Sequence, residues 1–257
     1  MIEYEKFIYL DMYKTGSTYV VGLLNKLMPE KPVRSLRHAP LTKGRPFNWK
    51  QGKYAFATVR NPWDWYVSMW AYSIQQPNVL FFRDVRSVLG EKGSKELFDA
   101  ENPKESFGRW LRALSDPAFL KVVMKGHPYS RSSVSTFLGF YSYRFIRVTT
   151  PHPSIFLRRW YIWNMDRAIA HQKRFAIYDR VFRSETLTEE FSEFVLANQE
   201  RFGFKPNAKG ILKRNAPTPK NTSNRTLTSY RDYYTDDLRD LVARRERLLI
   251  DLFGYEF

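Results

Sequence analysis

Two short stretches hold side chains whose types and spacing could bind a phosphate-like anion. The first is KTGST, Lys14–Thr18. A loop that wraps a phosphate needs a glycine so that the backbone can come close, amides at a following helix N-terminus as donors, and a cation to balance charge. Gly16 meets the first need, the amides of Thr15, Gly16, Ser17 and Thr18 the second, and Lys14 the third. Taken alone, the string reads equally well as a turn in which Thr15 or Ser17 caps a helix. Its lysine precedes the glycine instead of following it, unlike the GxxxxGK[ST] pattern of nucleoside triphosphatases, which disfavours an ordinary ATPase or kinase.

The second stretch is VRNPWDWYVSMW, Val59–Trp70. Arg60 ends an apolar run, where a bare guanidinium is costly unless it is paired or holds an anion. Ser68 follows eight residues later. Pro62 suits the start of a helix and Asp64 its first turn. An Arg60–Asp64 ion pair would explain the loop without a ligand, and the tryptophans here read as core. For proton transfer the chain offers four histidines. His38, in RHAPL between the two loops, is the first candidate base. His127 and His152 each precede a proline, and His171 in AHQKR reads as a solvated helix end. Asp11 and Glu185 are carboxylate alternatives, although Asp11 also reads as a partner of Lys14 and Glu185 as a cap for the helix that follows it. No carboxylate cluster reads as a metal site, and no metal is expected.

The elements that must position these residues follow from periodicity. Lys6–Met12 is a short apolar run that breaks into KTGST before the helical pattern Tyr19–Met28, and Pro29 and Pro32 end that helix. Val33–Arg37 reads as a short strand and Tyr54–Val59 as a buried one, followed by RNP and a helix. Helices are expected at Lys104–Leu114, Ile155–Ala170, Leu187–Arg201 and Thr235–Phe253, and a strand at Ala176–Phe182. Gly203–Ser229 reads mostly as loop. Strands alternating with helices imply an α/β fold around a parallel sheet covered on both faces. In such sheets ligands bind beyond the carboxyl ends of strands, where both loops stand.

Composition limits the function classes. The chain has 257 residues, 43% hydrophobic and 17% aromatic, so the net charge of +16 belongs to a folded protein and not to a basic tail. One domain spanning 1–257 is expected, with about 76–175 a less certain, partly helical substrate-side region. The absence of cysteine removes disulfide frameworks, thiolate metal sites and a cysteine nucleophile. There is no signal-like start and no uncharged apolar run of membrane-spanning length, and the expectation is a soluble, cytoplasmic protein. The positive charge comes in three blocks: +7 over residues 1–60, +9 over 125–183 and +8 over 201–231. They could converge on one anionic ligand or form a footprint for nucleic acid or an acidic polymer.

KTGST after a first strand, with VRNPWDWYVS after a later one, resembles the two nucleotide-binding signatures of the sulfotransferases that use 3'-phosphoadenosine 5'-phosphosulfate (PAPS). The ending YRDYYTDDLRDLVARRERLLIDLFGYEF and the stretch IYDRVFRSETL look similar to the bacterial and carbohydrate-type branch, while about Gln75–Phe175 is not covered. The resemblance implies a P-loop-like three-layer α/β sandwich with a central parallel sheet. It assigns Lys14, Thr15, Gly16, Ser17 and Thr18 to the 5'-phosphosulfate, Arg60 and Ser68 to the 3'-phosphate, and Lys14 also to the charge on the leaving oxygen. By likeness to glycan 2-O-sulfotransferases it makes His38 the base. A loop before the last helix would close over the nucleotide, with Lys213, Arg214, Lys220 and Arg225 as candidate contacts. The acceptor is left open among small hydroxylated molecules, lipid-linked sugars and polysaccharides, with no nucleic acid expected. A soluble, bacterial-type enzyme is expected rather than a membrane-anchored Golgi relative. The rival classes are a basic polymer-binding protein without catalysis and a nucleotide kinase.

Overall fold

The computed structural model describes residues 1–39, 52–76, 80–151, 153, 164–216 and 225–257. His152, Lys220 and most of the helix expected from Ile155 lie outside them. The chain divides into two compact units, one of Met1–Arg60, Phe145–Pro153 and Arg174–Asn221, the other of Asn61–Arg144, Ser154–Lys173 and Thr222–Phe257.

The first unit holds a five-stranded mixed sheet in the order β3-β1-β2-β4-β5, with β1 Ile2–Glu3, β2 Phe7–Leu10, β3 Arg34–Ser35, β4 Tyr54–Val59 and β5 Arg180–Arg183. β2 runs parallel to β4 with Tyr9 opposite Phe56, and β4 parallel to β5 with Phe56 opposite Arg180. A wholly parallel sheet is not what forms. β1 pairs antiparallel with β2, because the few residues between them close a turn through Tyr4 N to Phe7 O at 2.9 Å, too short for the crossover that parallel neighbours require. β3 pairs antiparallel with β1 in turn, and two reversals restore the direction of β2. The residues after β3 therefore leave the sheet at the same end as those after β2 and β4.

Helix α1 (Ser17–Leu27) and the later helices Leu187–Ala197, Gln199–Phe202 and Ala208–Arg214 share one core with the sheet. Its centre is aromatic: Phe7, Tyr9, Phe56, Phe182, Phe191, Phe194 and Phe202 are all buried, and Tyr9 and Phe56 stack at 5.2 Å. The helix expected over Leu187–Arg201 breaks at Asn198. The stretch expected as loop contains Ala208–Arg214 because Ala208, Ile211 and Leu212 bury against that core, and packing of an apolar face outweighs turn-rich composition. The strand expected from Ala176 begins only at Arg180, since the Asp179 carboxylate takes the Ala55 amide at 2.7 Å.

The second unit is helical. α2 (Pro62–Gln75) buries Trp63, Trp65, Tyr66 and Trp70, as core tryptophans should be; Trp65 stacks flat on Tyr141 at 4.3 Å. The expected helix at Lys104–Leu114 runs Pro103–Ser115. The final helix is two pieces, Asp236–Arg245 and Arg247–Phe253, with Glu246 outside both. Among the described residues no helix is long and apolar enough to cross a membrane.

Candidate functional site

The first loop leaves β2 and enters α1 through two left-handed residues, Lys14 at φ 60 and Gly16 at φ 82. Glycine suits position 16 because a side chain would be strained at this φ, and a Cβ would also crowd the end of the Leu187 side chain. The first intrahelical bond runs from Val20 N to Gly16 O, so the amides of Ser17, Thr18 and Tyr19 have no acceptor within the helix. No side chain caps this end and its first turn has no acidic residue. Gly16 and Thr18 are exposed.

Side chains that could have capped the helix are engaged elsewhere. Thr15 is buried; its hydroxyl donates to Met12 O at 2.9 Å and lies 2.6 Å from Thr58 Oγ1, which in turn contacts the Tyr9 hydroxyl at 2.9 Å. This chain pins the loop to β4. Ser17 Oγ accepts from Arg37 Nη2 at 3.2 Å. Thr15 and Ser17 are thus anchors, and the cap expected from either does not form. Arg60, at the end of β4, reaches back with Nη1 to Lys14 O at 3.4 Å. A pair of adjacent parallel strands brings the guanidinium of the second loop to the backbone of the first.

His38 follows β3 and meets the residue at the end of β2. Asp11, fully buried, stands at the end of β2. Its Oδ2 accepts from Arg37 Nε at 2.5 Å and from the His38 amide at 3.2 Å, while Oδ1 lies 3.4 Å from His38 Nδ1. Burial pushes this carboxyl up, but the imidazole and guanidinium beside it outweigh burial and hold it down at about 2. The pairing expected between Asp11 and Lys14 is replaced by one with Arg37 and His38. His38 also takes a left-handed backbone, φ 55, and its ring meets Tyr13 edge-on at 5.0 Å. Among the described residues Lys14 and His38 are the non-glycine residues with positive φ, a conformation that costs about 1–2 kcal/mol and that collects at functional sites.

The remaining candidates have surroundings of their own. Ser68 belongs to the second unit and is buried at 1% exposure in α2. Asn61, not Asp64, caps that helix, its Oδ1 accepting from Trp63 N and Asp64 N. Asp64 pairs with Arg225 at 2.6 Å, so Arg225 is committed to an ion pair. Lys213 and Arg214 are exposed on their helix. His127 caps a short helix through Nδ1, which accepts from Tyr129 N. His171 is not a solvated helix end: burial lowers it to about 4. Glu185 is exposed, and the helix after it has Thr186 as its N-cap residue. Among the described residues no three histidine or carboxylate side chains gather as a metal site would need.

Sequence reasoning missed Arg37 and the Tyr9–Thr58–Thr15 chain. An aspartate ending an apolar strand signals that some cation must lie near, but not which one. No protein-family model, curated protein or solved structure matches this chain.

Proposed function

We propose that the chain is a PAPS-dependent sulfotransferase with the P-loop-like three-layer sandwich its motifs resemble. The observation that carries this reading is the pairing of an uncapped helix N-terminus, opened by left-handed Lys14 and Gly16, with Arg60 from the neighbouring parallel strand. The donor set suits a ligand with phosphate groups at two points: unsatisfied amides and a lysine for one, a guanidinium for the other. Ser68 enters by the resemblance alone.

When bound, the donor nucleotide supplies an activated sulfuryl group and leaves as 3',5'-adenosine bisphosphate. The amides of α1 and Lys14 hold its 5' oxygens, and Arg60 its 3'-phosphate. Lys14 stabilises the phosphate oxygen that keeps the electrons of the broken S–O bond. His38 takes the proton lost by the acceptor hydroxyl as that oxygen bonds to sulfur. The acceptor is a glycan or a small hydroxylated molecule.

Thermal unfolding with 3',5'-adenosine bisphosphate, with magnesium and ATP, and with no ligand tests the reading. A ligand near one hundred times its Kd adds about 2.7 kcal/mol, or roughly 5–10 °C at this chain length. The bisphosphate is expected to give that shift, and Lys14→Ala or Arg60→Ala to remove it. No shift with the bisphosphate sinks the proposal, and a magnesium-dependent shift with ATP alone points to a nucleotide kinase. Transfer of labelled sulfate to a panel of glycans, phenols and hydroxylated lipids then identifies the acceptor.

A further inference from the structure

The Asp11 carboxylate does more than its structural duties require. Oδ2 alone fastens the turn after β3, taking both the Arg37 guanidinium and the His38 amide. Oδ1 does none of this. It is buried and faces His38 Nδ1 at 3.4 Å, and neither atom has another hydrogen-bond partner. A buried carboxylate oxygen left without a donor is costly, and the donor within reach is a proton on Nδ1. The backbone is tied to the same carboxylate, since the His38 amide donates to Oδ2 and the residue is held at φ 55, a strained state.

We propose that Asp11 is a positioning residue that holds neutral His38 with its proton on Nδ1, leaving Nε2 as the lone pair that accepts a proton. A carboxylate behind one imidazole nitrogen fixes which nitrogen is basic. The groups around the carboxylate are Arg37 and His38, with the Met1 amino group and the Tyr9 phenol also within electrostatic range. Arg37 keeps the carboxylate charged, and the ring edge-on to His38 is that of Tyr13. The proposal rests on the reading of His38 as base, but the tautomer is a property of the free protein and can be measured without turnover.

The test is long-range proton–nitrogen NMR of histidine-labelled full-length protein, at a pH where the imidazole is neutral, with the His38 signals assigned by their loss in His38→Gln. Wild-type His38 is expected to show the Nδ1–H pattern. Asp11→Ala is expected to relax it to a mixture of both tautomers, and Arg37→Gln, which removes the cation and leaves the carboxylate, to preserve it. A wild-type proton on Nε2, or a tautomer untouched by Asp11→Ala, overturns the proposal. If Asp11→Ala does not fold, Asp11→Asn carries the same comparison, and an unchanged proportion of Nδ1–H there overturns it equally. Where sulfate transfer is measurable, Asp11→Asn is expected to lower kcat by roughly one to two orders of magnitude, a share of what a positioned base contributes, with bisphosphate binding unchanged. An Nδ1–H tautomer together with full turnover in His38→Ala would remove the base and leave the positioning intact, so the two failures are distinguishable.

Discussion

Lys14 and His38 hold left-handed backbones that other side chains would avoid, and such strain persists only where the surroundings over-determine it. At Lys14 the surroundings are visible: Thr15 is tied to Met12 and Thr58 on one side, and the Arg60 guanidinium meets the Lys14 carbonyl. Lys14→Gly should therefore relieve about 1–2 kcal/mol of backbone strain while adding about 0.5–1 kcal/mol of unfolded-state entropy. The expected outcome is a protein as stable as the parent or slightly more so that no longer gains stability from the bisphosphate. Urea unfolding with and without ligand checks both halves, and a variant less stable by about 1 kcal/mol or more would show that the lysine holds the loop instead of serving a ligand. The placing of Lys14, Gly16 and Arg60 in loops that follow strands and open helices was legible from residue type and spacing. The left-handed state of the lysine and histidine was not, because neither residue type requires it and long-range contacts impose it.

Helix ends are the elements that separate the two loops. α1 has no side-chain cap and no acidic residue in its first turn, whereas α2 has the Asn61 cap and Asp64 in its first turn; the first end is open to an anion and the second is already served. The strand and helix on either side of each loop were legible from apolar periodicity. The antiparallel β1 was not, since a two-residue strand has no period, nor was the break at Glu246, which depends on partners more than a hundred residues away. Glu246 is fully buried, accepts from Ser142 N at 2.8 Å and Tyr141 N at 3.2 Å, and also takes the hydroxyls of Ser142 and Tyr66. It caps the helix Phe140–Thr149 from another element, and Gly139 is needed beside it because a Cβ would overlap its carboxylate. Burial raises its carboxyl above the usual value, against the pull of Ser142 and Tyr66. A carboxyl raised on folding contributes stability that is complete below the unfolded value of 4.5 and is lost as pH rises through the folded value. Glu246→Gln, which carries no charge, should therefore gain on the parent as pH increases from about 4 to 7. Denaturation midpoints at several pH values check this, and a constant difference between the two proteins would refute it. Glu246→Ala should be far worse at every pH, by roughly 3 kcal/mol or more, because it orphans several buried donors at once.

Charge is a property of the whole chain, but it is unevenly shared. The unit that carries Lys14, Arg60 and His38 holds +11 of the net +16, and the other unit +5. A field of this sign attracts any polyanion and speeds its encounter at low salt, so a basic chain by itself does not distinguish a nucleotide enzyme from a polymer-binding protein. What distinguishes them is whether binding depends on one site or on the sum. Residues 117–165 contain no Asp or Glu, and a sulfated polysaccharide or single-stranded DNA could engage a chain this basic through charge alone. That binding should weaken steeply with salt and survive the loss of one cation, so Lys14→Gln should change polyanion affinity by less than about twofold while lowering bisphosphate affinity by more than about tenfold, since a lysine within a phosphate cradle contributes on the order of 1.4 kcal/mol or more. Titrations of both ligands at about 50 and 300 mM salt separate the two terms, because raising salt over this range screens the long-range field and leaves the short contacts of the cradle. Equal losses of both ligands in Lys14→Gln would mean that the bisphosphate is held by the general field, and the basic chain would then be read as a polyanion binder.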